Sequence, residues 1–250
     1  MEPIYERTFT VTSADTDRHG RLKPSRILMM VQEVAGDHSA LLGTDRDTLM
    51  QKDLFWAVIR HRVQITRLPG DHEKLTVQTW PMPTTRTAYP RSTVAYDAEG
   101  RECFRGISLW VLMDAKSRAM VLPGKSGVTV SGMLTGSELA APGSMALQDL
   151  GKVVTRTVRY TDLDVNGHMN NCRYLDWVTD TLPGSFHGTH SVSEFTLNYL
   201  SEAREGEALE LHYQLTDGPC LGVDALRSGE LSPGHARVFS ARVLFENGVL

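Results

Sequence analysis

The chain has 250 residues, 41% hydrophobic and 22% charged. This composition is that of a globular protein and excludes a disordered, collagenous or rod-like chain. Twenty-six Lys and Arg against thirty Asp and Glu leave a net charge of −4, so no overall basic field exists to hold nucleic acid or an anionic membrane. Aromatics at 7% are too few for a base-stacking platform. The cysteines, Cys103, Cys172 and Cys220, are sparse and odd in number, which argues against a disulfide framework and suits a reducing cytoplasm. The longest apolar run, Leu54 to Ile59, is six residues, far short of a membrane span. The opening Met-Glu-Pro-Ile-Tyr-Glu-Arg carries acids and does not read as a signal peptide. A soluble, cytoplasmic protein is expected, with no nucleic-acid partner and no membrane span.

In chain order, Ile4 to Val11 reads as a strand with Tyr5, Phe9 and Val11 on one face. A polar turn, 13–20, leads into a helix over 25–42, in which Ile27, Met30, Val31, Val34, Leu41 and Leu42 keep a helical period and Gly43 closes it. Strand signals follow at 54–66 and around Leu75, Val77 and Thr79. The segments 93–97 and 103–113 read as a hairpin about Ala98-Glu99-Gly100. The stretch 122–151 is rich in Gly and Pro and reads as a connector. The plan then repeats: a strand over 153–160, a polar turn 161–171, and a helix with Tyr174, Leu175, Val178 and Leu182 that Pro183-Gly184 ends. Strands are expected at 192–201, 208–215, 221–227 and 236–246.

The repeat is also visible in letters. Setting Asp15 on Asp162, an offset of 147, places Asp17 on Asp164, Gly20 on Gly167, Leu22 on Met169, Arg26 on Arg173 and Leu28 on Leu175 without a gap. The expected domains are an N-terminal repeat, 1–122, a connector, 123–151, and a C-terminal repeat, 152–250. A lone helix in each repeat must bury its apolar face against a curved sheet, because no second helix is available.

The two copies diverge at the turn before the helix. Copy one reads Asp15-Thr16-Asp17-Arg18-His19-Gly20-Arg21-Leu22. Copy two reads Asp162-Leu163-Asp164-Val165-Asn166-Gly167-His168-Met169-Asn170-Asn171. Asp164, Asn166 and His168 stand at i, i+2 and i+4, so an extended segment points all three to one side. A carboxylate, an amide and an imidazole then share one cluster fit for acid–base work. The segment enters a helix N-terminus, where free backbone N–H groups near Met169 and Asn170 are expected to hold a developing oxyanion. Asp and Asn are also ordinary turn and cap residues, and that plainer role competes at this point.

The run Asp-Leu-Asp-Val-Asn-Gly-His-Met-Asn-Asn, followed by Tyr174 and Trp177, resembles the signature of the acyl-acyl-carrier-protein thioesterases, which end fatty-acid synthesis by hydrolysing the acyl thioester. The resemblance covers nearly the whole chain. It implies an α+β double hotdog: two tandem repeats, each a long helix wrapped by an antiparallel β-sheet. It matches Asp164, Asn166 and His168 to the family's active-site residues. A second family motif, Tyr, two residues, then Glu-Cys, falls on Tyr199-Leu200-Ser201-Glu202-Ala203. Glu202 therefore joins the catalytic set, and Ala203 removes the family's cysteine. The expected reaction is attack by an activated water, without a covalent intermediate and without a cofactor or metal. His168 and Glu202 handle the proton, Asn166 orients water or carbonyl, and Asp164 fixes the cluster; direct attack by Asp164 is the alternative. Glutamate is an intrinsically weak base at neutral pH and imidazole a better matched one.

Copy one lacks the Asn and His, so it is expected to have lost catalysis. The resemblance implies that it helps bind the acyl chain; Met30 of the helix and Trp56, with Leu54 and Phe55 beside it, are expected to line that site. The implied partner is acyl carrier protein carrying a fatty acyl thioester. That partner is acidic, so a local basic patch is expected, for which Lys23, Arg26, Arg86 and Arg91 are candidates. A monomer and a homodimer both suit two fused hotdogs. An acyl-CoA thioesterase or hotdog dehydratase shares the architecture, and a non-catalytic acyl-binding protein follows if Asn166, His168 and Glu202 do not converge. Gly-x-Ser-x-Gly, His-Glu-x-x-His, Gly-x-Gly-x-x-Gly and P-loop patterns are missing from the sequence. Cys172 is expected to pack at the helix start, and His19, His61, His72, His187, His190, His212 and His235 to take no part in the chemistry.

Overall fold

The computed structural model describes residues 3–229 and 237–247; Ala236 and His235 lie outside the described residues. The chain divides into two compact units, Met1–Pro142 and Gly143–Leu250. In the first, β1 (Tyr5–Thr10) is followed by a 3-10 turn (Ser13–Asp15), α1 (Pro24–Leu41), α2 (Arg46–Met50), β2 (Leu54–Ile65), β3 (Lys74–Pro81), β4 (Tyr89–Tyr96), β5 (Glu102–Asp114), β6 (Met120–Val121) and α3 (Pro123–Ser126). The antiparallel strands lie in the order β1-β3-β4-β5-β2, with β6 paired to β5.

The elements form where the side-chain periods demand them. Pro24, with its φ preset and no N–H to lose, opens α1. Ile27, Met30, Val31, Val34, Ala35 and His38 then bury one face of the helix against β3 and β1. Gly43, at φ 66°, ends it. In β3, Leu75, Val77 and Thr79 are buried in strict alternation.

The second unit holds β7 (Lys152–Thr157), a second 3-10 turn (Tyr160–Asp162), α4 (Arg173–Thr179), α5 (Gly184–Thr189), β8 (His190–Tyr199), β9 (Ala208–Thr216), β10 (Cys220–Arg227) and β11 (Arg237–Asn247). Its antiparallel order, β7-β9-β10-β11-β8, matches that of the first unit strand for strand. Alternate residues build its core: Phe195 and Leu197, Leu209 and Leu211, Leu221 and Val223, Phe239 and Ala241 are all fully buried. Tyr174 ties α4 to the sheet through edge contacts with Phe239 and Tyr199.

The second helix departs from the long helix expected. It is seven residues, then a break, then six more. Thr179 donates its hydroxyl to the carbonyls of Leu175 and Asp176, and Thr181 donates to that of Val178. Pro183 then disfavours helical backbone at Leu182.

The Gly- and Pro-rich segment after β6 is not a free tether. In the first unit, Tyr89 donates to the Val128 carbonyl, Arg105 to that of Ser137, and Trp80 Nε1 to Glu138. A Cβ at Gly132 would sit 2.2 Å from the Met82 carbonyl oxygen, so this close approach requires glycine. In the second unit, Gln148 N–H bonds the fully buried Asp224 carboxylate, which Ser240 also holds. Among the described residues, no helix is long and apolar enough to cross a membrane.

Candidate active site

The site is a tight reverse turn, not the extended segment expected. Leu163 and Met169 pair across it. Asp164 N–H donates to the His168 carbonyl at 2.9 Å and Gly167 N–H to the Asp164 carbonyl at 3.0 Å, with Gly167 at φ 75°. Pleat alternation therefore does not orient the three side chains; the turn does. Asp164 is its inner brace. Its carboxylate accepts the Asn166 N–H at 2.8 Å and, more weakly, the Asn166 side-chain amide at 3.4 Å.

Copy one closes the same turn with the same backbone bonds. Asp17 N–H reaches Arg21 O, Gly20 N–H reaches Asp17 O, and Gly20 has φ 74°. In both copies, the residue after the imidazole or guanidinium bonds a distant carbonyl at 2.8 Å, Leu22 to Pro69 and Met169 to Ala203.

That last bond explains how Glu202 reaches the site. Met169 N–H holds the Ala203 carbonyl and so draws the segment after β8 beside the turn. Glu202 Oε2 there meets His168 Nε2 at 3.0 Å. Arg227 of β10 fastens the same segment from the other side, donating to Ser201 Oγ at 2.9 Å, to the Glu202 carbonyl, and to Glu207 at 3.2 Å. Tyr199 OH bonds the Asn171 carbonyl at 3.0 Å. Sequence reasoning missed Arg227. It stands on a distant strand, and an arginine there looks like any solvated surface charge.

The structure brings His168 and Glu202 into contact and Asp164 and Asn166 into contact. It does not supply the expected oxyanion donors. Met169 N–H is taken by Ala203 O and Asn170 N–H by Asp162 O at 2.8 Å. The Met169 side chain is buried, and Asn170 Oδ1 caps Cys172 N–H. Met169 and Asn170 thus build the turn, because a tight turn spends its own N–H groups on closure. Ala203 and Cys172 are both buried.

The divergence between the copies is chemical. Burial pushes the Asp17 carboxyl up, but hydrogen bonds from the Arg21 and His19 N–H groups and the Arg21 guanidinium outweigh it and hold the group below the usual carboxylate range. In copy two that arginine is His168, which turns to Glu202 instead.

The first unit contains a cavity of 390 Å³, within the range of about 300–1,000 Å³ typical of ligand sites. Trp56, Tyr89 and Trp110 wall it; Trp56 stands edge-on to Tyr89 at 4.9 Å and donates Nε1–H to the Thr44 carbonyl. Met30 does not line it. That side chain is wholly buried on the sheet-facing side of α1, because the helical period carries position 30 into the core. Of the docking candidates, Arg91 is buried and so is no surface contact, and Arg26 is engaged by Asp15 and Glu33.

A sheet packed on a helix, built twice with one strand order, is the double-hotdog architecture. Solved structures share it. An acyl-ACP thioesterase from Bacteroides thetaiotaomicron superposes with a TM-score of 0.88 over 98% of both chains at 24% identity. The 12:0-ACP thioesterase from Umbellularia californica gives 0.83 over 99% of both at 23%. Family models describing the acyl-ACP thioesterase N-terminal and C-terminal domains match residues 2–122 and 148–241. The chain belongs to the acyl-ACP thioesterase family. A dodecanoyl-[acyl-carrier-protein] hydrolase from Cinnamomum camphora is 24% identical over 222 residues, 83% of this chain and 58% of that protein. A palmitoyl-acyl carrier protein thioesterase from Gossypium hirsutum is 24% identical over 247 residues, 93% of this chain and 59% of that protein. The chain thus spans about three fifths of the length of these curated relatives.

Proposed function

We propose that this chain hydrolyses fatty acyl thioesters presented on acyl carrier protein, releasing free fatty acid and ending chain elongation. The observation that carries the reading is the 3.0 Å contact of His168 Nε2 with Glu202 Oε2 on a turn braced by Asp164. The Glu202 carboxylate, 3.0 Å from Nε2, favours the proton on that nitrogen and so leaves Nδ1 as the accepting one. His168 then takes a proton from water as it adds to the carbonyl carbon. The proton passes to the carrier's sulfur as the C–S bond breaks, leaving a carboxylic acid and a free thiol. Asn166, exposed at the turn's tip, orients the water or the carbonyl oxygen. Asp164 positions Asn166 and does not attack, in keeping with carboxylate oxygens already accepting two bonds. With alanine at 203, no thiolate acts there.

The domain roles follow from the same contrast. The C-terminal repeat, 152–250, carries the chemistry. The N-terminal repeat, 1–122, joined through 123–151, is catalytically degenerate and takes the acyl chain in the cavity bearing Trp56. Three free thiols, Cys103, Cys172 and Cys220, support a cytoplasmic setting, although the plant relatives bear the name chloroplastic. Light scattering distinguishes monomer from homodimer.

The test is thiol release from acyl-carrier-protein and coenzyme-A thioesters over a series of chain lengths. Release from the carrier-protein thioester, abolished in His168→Ala with unchanged melting temperature, is expected. Preferential release from coenzyme A would shift the substrate class, and no release from either would overturn the assignment.

A further inference from the structure

The aromatic cavity of the first repeat holds a cation that the proposed chemistry does not use. Arg91, on β4, lines the cavity yet is only 8% exposed. Its Nη1 donates to His38 Nδ1 at 3.0 Å and to Thr79 Oγ1 at 3.4 Å. A guanidinium cannot accept a hydrogen bond, so His38 must present an unprotonated Nδ1 and adds no charge of its own to the pair. Among the described residues no carboxylate lies within ion-pair distance of Arg91. Asp45, at the cavity's edge, is committed to its own helix: it accepts the N–H groups of Asp47 and Thr48 and the Thr48 hydroxyl. Burial pushes the Arg91 guanidinium down to about 10, still fully charged at neutral pH.

A buried charge without a counter-ion is costly unless something supplies one. Around Arg91 the walls are Trp56, Tyr89 and Trp110, which suit an aliphatic chain and not a hydrated ion. Arg46, exposed at the same cavity, adds a second positive charge at its edge. A guanidinium presents donors in a fork that fits a carboxylate in bidentate fashion. We propose that this cavity is a receptor for a carboxylate borne on an aliphatic chain, with Arg91 binding the carboxylate and Trp56, Tyr89 and Trp110 holding the chain. The chain itself rests on the reading that the first repeat takes an acyl group; the anionic end is read from Arg91. Two sources share this chemistry: a free fatty acid seated head-first, and an acyl thioester whose far end carries a carboxyl group.

Quenching of tryptophan fluorescence by sodium decanoate and by decanol, below micellar concentrations, tests the proposal on the full chain. Wild type should bind decanoate at least tenfold more tightly than decanol. Arg91→Met should remove that preference while leaving decanol binding within twofold, and Arg91→Lys should keep part of it. A thioester ending in a carboxylate, turned over at least tenfold better than its methyl-ended counterpart and only with Arg91 present, identifies the second source; equal turnover with tight decanoate binding identifies the first. Equal binding of decanoate and decanol by wild type overturns the carboxylate site and leaves the acyl-chain reading standing. Binding of neither overturns both. If Arg91→Met does not fold, as a melting curve will report, the wild-type comparison and Arg91→Lys still decide.

Discussion

Replacing Glu202 by Gln tests the proposed chemistry most directly, because it keeps the size of the side chain and removes its charge. The contact at stake is His168 Nε2 to Glu202 Oε2, 3.0 Å. Once the imidazole is protonated this is a charge-assisted pair, and such a pair contributes about 1.5–3 kcal/mol when shielded from water. Here the Glu202 side chain is 41% exposed and that of His168 19%, so solvent screening reduces the figure to about 1–2 kcal/mol. The bond strengthens as imidazolium forms in the transition state, so the loss falls on kcat and not on KM: about 5–30-fold, at tenfold per 1.36 kcal/mol. Thiol release under steady-state conditions measures it. Stability should fall by no more than about 1 kcal/mol, since Gln keeps an acceptor opposite Nε2 and the pair is partly exposed. The coupling is the sharper readout. If Glu202 acts through His168, adding Glu202→Gln to His168→Ala should cost nothing further. A single variant within twofold of wild type, or full additivity in the double variant, would refute the reasoning.

Other expectations follow from the same geometry. Gly167→Ala and Gly20→Ala place a Cβ at φ 75° and 74° with no atom within 4 Å. Each should cost about 1–2 kcal/mol of stability from backbone strain alone, measured by urea denaturation, but only Gly167→Ala should lower kcat. Equal activity losses would contradict the assignment of catalysis to the second repeat. Arg227→Met, which frees Ser201 and the Glu202 carbonyl, should lower kcat several-fold at constant KM, with partial rescue by Lys; a pure fall in melting temperature would mark it as merely structural. Burial holds His61 near 4, below its unfolded value of 6.5. In that window the unfolded chain binds a proton that the native state refuses. Stability therefore falls as pH drops from 6.5 to 4, by roughly 3 kcal/mol at the limit. His61→Gln should flatten that slope in denaturation midpoints taken across the interval, and an unchanged slope would assign it elsewhere.

Much of the fold was legible in the sequence because it rests on local periods. Alternation at Leu75, Val77 and Thr79 becomes the buried face of β3, and the spacing of Ile27, Met30, Val31 and Val34 becomes the inner face of α1. The duplication was legible because a turn closed by its own backbone needs the same letters each time: Asp at 17 and 164, Gly at 20 and 167. The second helix is less legible, since threonine hydroxyls and Pro183 compete with a pattern that otherwise continues through Leu182.

The site divides along the same line. The identities of Asp164, Asn166 and His168, and of Glu202 through its motif, were in the sequence by itself. The sequence also determined that copy one, with Arg21 in place of His168, is a different object. Only the tertiary structure decided what those residues touch. It closed the segment into a turn, consumed the N–H groups of Met169 and Asn170, and carried Glu202 to His168 through the Ala203 carbonyl. It set Arg227 behind that segment and Arg91 inside an aromatic cavity. The physical reason is range. Side-chain periods and turn chemistry act over a few residues, whereas a hydrogen bond between strands far apart in the chain, or a charge left without a counter-ion, exists only once the sheets have set which distant residues become neighbours.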